Sequence, residues 1–210
     1  PDVAHYKQDA RQGFEFLQNV MWDKVHGGFF TLVDRRGNVK DSSEKTAYGN
    51  AFGIYASATW YKASHDSRAL DLAKKCFDWL EQHAHDPVYK GYFQNLQIDG
   101  TPIKRKNSTP STSSTGYKDQ NSSIHLLEAF TELYAVWPDR LLKERLQEML
   151  SLIRDVITTK KGNLTLFLYP DWKPVSFKDS SRQSIQQHNF LDHVSFGHDV
   201  ETAYLMLEAS

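Results

Sequence analysis

Two residues near the C-terminal end of the chain stand at a spacing that suits proton transfer. His198 and Glu201, in the run Gly197-His198-Asp199-Val200-Glu201, are three positions apart. On a helix such residues share one face, with their side-chain ends within reach of each other. An imidazole titrates near neutral pH and a carboxylate beside it favours the charged ring, so the pair could give and take protons. The same spacing also describes an ordinary surface pair on a helix, so the motif alone assigns nothing. Two further segments mix groups of this kind with apolar residues: Tyr48 and Asn50 in one, and Asn121, Ser122, Ser123 and His125 in the other. His188 and His193 precede His198 in steps of five, which do not place all three on one helix face. With no cysteine near them, no metal centre is expected.

The elements that must hold these groups emerge when the chain is compared with itself. Asp23-Lys24-Val25-His26-Gly27-Gly28-Phe29-Phe30 matches Asp86-Pro87-Val88-Tyr89-Lys90-Gly91-Tyr92-Phe93, 63 positions on, and each leads to a glycine, Gly37 or Gly100. A looser third copy follows Gly162, where Leu164-Thr165-Leu166-Phe167-Leu168-Tyr169 alternates like a strand. Repeats of this length point to stacked supersecondary units. Helical apolar spacing predicts helices over 4–21, 45–63, 68–84, 121–136, 140–157 and 198–208. Asp66 or Ser67 is the expected N-cap of the third and Asp139 of the fifth. Short hairpins are expected from Phe29–Val33 to about Val39 and again at Tyr92–Ile98. Six helices in antiparallel pairs joined by hairpins suggest part of an α/α toroid, with a right-handed superhelix or plain solenoid as the alternative.

Composition narrows the function. Lysine plus arginine number 25 against 26 acidic residues, a net charge of −1, which excludes a general nucleic-acid binder or anionic-membrane binder. No apolar run is long enough to cross a membrane and no leader is visible, although the chain begins with Pro1. A cytoplasmic location is the expectation. The single cysteine, Cys76, excludes an intramolecular disulfide and shares a helical stripe with Leu72, Ala73, Phe77 and Leu80, which predicts a buried thiol. The Lys104-Arg105-Lys106 cluster reads as a solvated loop. The polar tract 104–118 containing it reads as a linker or a lid, and 173–196 as a long loop.

Four stretches together resemble the N-acylglucosamine 2-epimerase superfamily, and within it the cellobiose and mannose 2-epimerases. They are Met21-Trp22-Asp23-Lys24-Val25-His26-Gly27-Gly28-Phe29-Phe30, Lys45-Thr46-Ala47-Tyr48-Gly49-Asn50-Ala51-Phe52-Gly53-Ile54-Tyr55, Asn121-Ser122-Ser123-Ile124-His125-Leu126-Leu127-Glu128-Ala129-Phe130, and Ser195-Phe196-Gly197-His198-Asp199-Val200-Glu201. The resemblance implies an all-α (α/α)6 barrel, here one domain over 1–210 that amounts to about half the barrel. It also implies epimerisation at C2 of a reducing sugar through ring opening and a cis-enediolate, a route that uses two histidines and needs no organic cofactor or metal. Under it His198 is a catalytic histidine and Glu201 the carboxylate that holds it. Asn121 and His125 bind oxygens near the reacting carbon, and Tyr48, Asn50 and Tyr204 lie at the substrate pocket.

This sequence departs from the family pattern in two places. Ser123 stands where the inner-helix motif usually has histidine, and Tyr204 where tryptophan usually follows the catalytic helix start. Family members are about twice as long, so the resemblance puts a sugar-binding arginine before Pro1, and the second histidine with a stacking tryptophan after Ser210. The implied partner is a small sugar, with a homodimer or association with the remaining barrel helices as the expected assembly. An aldose–ketose isomerase, a glycoside hydrolase on the same toroid and a non-catalytic helical-repeat protein are the competing readings. The hydrolase wants two carboxylates across the scissile bond, and no such pair stands out beside His198.

Overall fold

The computed structural model describes residues 3–41, 44–105 and 112–210. Its helices are α1 (Val3–Phe16), α2 (Ala47–Ser64), α3 (Ser67–His83), α4 (Gln120–Tyr134), α5 (Arg140–Leu152), α6 (Arg182–Gln187) and α7 (Phe196–Glu208). Its strands are β1 (Leu32–Val33), β2 (Val39–Asp41), β3 (Glu44–Thr46), β4 (Asn95–Gln97), β5 (Lys118–Asp119) and β6 (Phe167–Leu168). The architecture is all-α, with the strands confined to short ladders, and no closed barrel forms among the described residues. Among them, too, no helix is long and apolar enough to cross a membrane.

All the helices but α6 form where the apolar spacing puts them, and the caps explain the boundaries of α3 and α5. The Asp66 carboxylate accepts from Arg68 N and starts α3; the Asp139 carboxylate accepts from Leu141 N and Leu142 N and starts α5. The α3 stripe of Leu72, Ala73, Cys76, Phe77 and Leu80 is buried throughout. Withdrawing a side chain the size of Phe77 or Leu80 from water stabilises the fold by about 1.5–3 kcal/mol. Burial also pushes the Cys76 thiol well up, and its Sγ donates to Asn50 O, so it is a structural thiol. Helices α1 and α5 each close on a single π turn, Leu17–Met21 and Ile153–Ile157, before the chain turns at Trp22 and Thr158. The His85 N–H bonds Leu80 O over the same five-residue reach, so all three turns close alike.

The hairpin expectation holds only in part. The first hairpin is β1–β2. In the second copy β4 forms its ladder with β3, pairing Glu44 with Gln97 and Thr46 with Asn95; in the third, β6 pairs with β5. The strands before α2 and α4 therefore each join the strand after the outer helix that follows, sealing a helix pair at one end. Turns at Gly100 and Trp172 persist as tight local returns, with Gln97 N bonded to Thr101 O and Tyr169 N to Lys173 O.

Two buried lysines tie these ladders to the preceding turns. Lys45 Nζ donates to Asp23 Oδ2 at 2.8 Å, and Lys118 Nζ to Asp86 Oδ2 at 2.8 Å, with both lysine side chains fully buried. Burial pulls both ammonium groups below the ordinary lysine range, and the aspartates oppose that pull. Burial would raise the aspartates, but the lysines and local backbone N–H groups win and hold both below the usual carboxylate range. In the third unit Thr159 occupies the aspartate's place in the turn.

Two expectations about loops change. Residues 106–111 of the polar tract lie outside the described residues. The end of that tract is no linker: Tyr117 and Lys118 are buried, and Arg105 donates to the Ser113 and Thr115 carbonyls while lying 4.3 Å from the Tyr117 ring centre. Arg105 is thus a clasp rather than a solvated charge. The 173–196 stretch contains α6, capped by Ser181, and its Val175 and Leu191 form a small second core with Tyr117.

One position tests how tightly α2 seats its turn. A Cβ built on Gly53 would meet Phe29 Cε2 at 2.2 Å, and Phe29 is buried edge-on against Trp22. Gly53→Ala should therefore cost about 1–3 kcal/mol through overpacking, read as a lower denaturant midpoint at unchanged slope. A midpoint equal to that of the unsubstituted protein would mean the Phe29 ring has room to move.

Candidate active site

The first turns of three inner helices, α2, α4 and α7, carry the groups singled out by sequence. Contacts along their length show that the helices run parallel. On α2 and α4, Tyr48 meets His125 near one end and Lys62 meets Glu132 at the other. On α4 and α7, Gln120 meets His198, and His125 approaches Glu201. Thr46 caps α2 by accepting from Gly49 N, and Asp119 caps α4 by accepting from the Ser122 N–H and O–H. Burial pushes the Asp119 carboxyl up to about 6, against the pull of those Ser122 donors. Counted from their caps, Phe52, His125 and Glu201 occupy the same position on three neighbouring helices.

His125 sits at the centre of this wall, 8% exposed. Its Nδ1 is 2.8 Å from Glu128 Oε2, and its Nε2 is 4.0 Å from Glu201 Oε1. Tyr48 meets the ring edge-on at 5.3 Å between centroids, and Phe52 lies across it at 4.8 Å. Tyr48 and Phe52 in turn form part of the wall of an apolar cavity of about 470 Å³. Asn121 and His198 line a smaller cavity of about 130 Å³ together with Gln120, Phe167, Phe190 and His193.

The expected pairing of Glu201 with His198 is not what the helices produce. Among the described residues no hydrogen bond or ion pair joins the two. His198 Nδ1 lies 2.8 Å from the Gln120 amide nitrogen across the helix interface, while Glu201 leans toward His125. The reason is packing: α4 lies close enough to α7 that residues across the interface compete with the i+3 neighbour. Asn50 is also set apart from the wall. It is fully buried, its Oδ1 accepts from Phe29 N and its Nδ2 donates to Thr46 O, so its amide is committed to holding the turn against α2. Tyr204 lies one turn beyond Glu201, exposed, with its hydroxyl donating to Glu208; that bond raises its pKa.

Three residues of the wall escaped the sequence reading. Glu128 had a signal, because His125-x-x-Glu128 repeats the spacing of His198-x-x-Glu201. Phe52 becomes visible once the three helices are aligned from their caps. Gln120 had no signal, since a neutral amide at a helix start is common on surfaces. The assembled wall brings the imidazoles of His125 and His198 onto adjacent helices, with the Tyr48 ring against His125 and Asn121 in the same cavity as His198. Among the described residues no group of three or more His, Cys, Asp or Glu gathers as metal ligands would.

Comparison with known proteins places the chain in a family. The cellobiose 2-epimerase of Bacteroides fragilis is 29% identical over 98% of this chain and 48% of its own length. The D-mannose isomerase of Thermobifida fusca is 26% identical over 94% of this chain and 45% of its own. The solved structure of cellobiose 2-epimerase from Spirochaeta thermophila superposes with a TM-score of 0.83 at 30% identity, covering 97% of this chain and 47% of that one. The chain thus spans about half the length of the relatives it matches. The family described as N-acylglucosamine 2-epimerase (GlcNAc 2-epimerase) matches residues 2–210, nearly the whole chain, and the chain belongs to that family.

Proposed function

We propose that the intact protein carrying this chain is a carbohydrate 2-epimerase that interconverts the C2 epimers of an aldose or reducing disaccharide. The observation that carries the reading is the seat of His198. It lies at the start of an inner helix, hydrogen-bonded through Nδ1 and sharing a cavity with Asn121, in a family whose relatives here are sugar epimerases and a sugar isomerase. The sugar opens to its aldehyde, and His198 takes the weakly acidic C2 proton. Asn121, His125 and Tyr48 donate to the oxygens of the cis-enediolate, where charge develops. Inversion then requires a proton delivered to the opposite face. His125 and His198 stand on adjacent helices of one wall, so the second acid must face them across the sugar.

A second reading keeps the same enediolate but returns the proton to C1, giving an aldose–ketose isomerase. The D-mannose isomerase relative favours keeping it in view. Incubating the intact protein separately with glucose, mannose, cellobiose and N-acetylglucosamine, and separating the products by chromatography, distinguishes the two. A C2 epimer is the expected product. A ketose would establish the isomerase, and no conversion of any of the four would count heavily against both.

A further inference from the structure

Gln120 opens α4 directly under His198. Its side chain is 2% exposed, and its amide nitrogen is 2.8 Å from His198 Nδ1. Its carbonyl oxygen Oε1 is buried without a hydrogen-bond partner among the described residues. The amide is therefore enclosed yet bonded at one point, and no second bond fixes which end faces the ring.

An amide and an imidazole can pair in two ways. With the amide nitrogen donating to a bare Nδ1, the neutral ring carries its proton on Nε2 and that atom cannot act as a base. With the amide turned over, Oε1 accepts from Nδ1–H. Nε2 is then bare and ready to take a proton, and after taking it the imidazolium keeps the same Nδ1–H···Oε1 bond. Going from the first arrangement to the second moves one ring proton from Nε2 to Nδ1 through water, with no net gain or loss.

We propose that Gln120 is a positioning residue that sets the tautomer of His198, holding the Nδ1 edge of the ring so that Nε2 is either capped by its proton or free to act as a base. The proposal rests on the reading of His198 as a proton-transfer group. Other titratable groups around that ring are Asp119 and His193, in the same cavity, Asp199, next to it in α7, and Glu201, one turn on. None of these is hydrogen-bonded to the ring, so the amide has no competitor for Nδ1.

Two variants of the intact protein separate this role from packing. Gln120→Glu keeps the shape but presents only acceptors, and Gln120→Met keeps the length without either a donor or an acceptor. Nitrogen-15 NMR of the His198 ring reads tautomer and titration without any turnover. Gln120→Glu should hold the proton on Nδ1 and raise the His198 pKa by about one unit or more, as a carboxylate beside an imidazole does. Gln120→Met should give a tautomer distribution unlike that of the unsubstituted protein. It should also lower kcat for C2 exchange by about 10- to 100-fold, part of the 10²–10⁴ that general acid–base catalysis supplies, with KM within about threefold. The acid limb of the Gln120→Glu pH profile should move upward with the ring pKa. Identical ring tautomer and titration in all three proteins would overturn the proposal, whatever the activities. Shifted ring signals in a protein that exchanges no sugar proton would uphold the pairing and defeat the epimerase reading instead.

Discussion

His198→Ala should abolish proton exchange at C2 while leaving the fold cooperative. A positioned general base contributes about 10²–10⁴-fold, and its removal leaves no other imidazole in the same cavity held at hydrogen-bond distance by a neighbouring helix. The structural cost should be modest. His198 is half-buried, and its loss leaves one Gln120 donor unpaired, worth about 1–3 kcal/mol at most. Activity per folded molecule and the denaturation midpoint separate the two effects. A variant that unfolds yet keeps its specific activity would make His198 structural. Glu201→Gln should cost less than His198→Ala, because Glu201 is 43% exposed and stands 4.0 Å from His125 rather than on the His198 ring. An equal loss in the two variants would show that Glu201 handles a proton itself.

The largest stability effect should come from the buried pair that seats α4. Asp86→Ala leaves the Lys118 ammonium enclosed, with only the Lys90 carbonyl among its oxygen partners, and strands the Val88 and Tyr89 N–H groups that the carboxylate accepted from. Breaking a buried pair by removing one partner costs about 3–5 kcal/mol. Lys118→Met should cost less, since Asp86 retains its two backbone donors and the methionine fills the space beside Trp172. Replacing both partners with apolar residues of similar size should recover much of the loss. Because Lys118 immediately precedes Asp119 and Gln120, Asp86→Ala should also loosen the His198 seat. Urea unfolding of the single and double variants checks the order, and a Lys118→Met loss exceeding that of Asp86→Ala would refute it.

Much of the fold was legible because helices announce themselves. The Leu72–Leu80 stripe, the caps at Asp66 and Asp139 and the paired Asp23 and Asp86 turns are local patterns that need no tertiary information. The β3–β4 and β5–β6 ladders were not legible. They join strands of two or three residues across a whole helix pair, too short for alternation to register. The buried lysines were hidden for a different reason: lysine is almost never fully buried, and only the fold reveals the aspartate that makes it tolerable. The site divided along the same line. Spacing singled out His198 and Glu201, and the family resemblance Asn121 and His125, but which of them bond to one another is decided between helices. That is why His198 meets Gln120, Glu201 leans toward His125, and Asn50 is spent on the Phe29 turn.

The central claim is that His198 moves the C2 proton of an aldose. The direct test is to incubate the intact protein with mannose or cellobiose in heavy water and locate the incorporated deuterium by NMR. Deuterium should appear at C2 of the epimerised sugar and be absent from the His198→Ala reaction. Deuterium at no position, or at C2 to the same extent in the variant, would contradict the account.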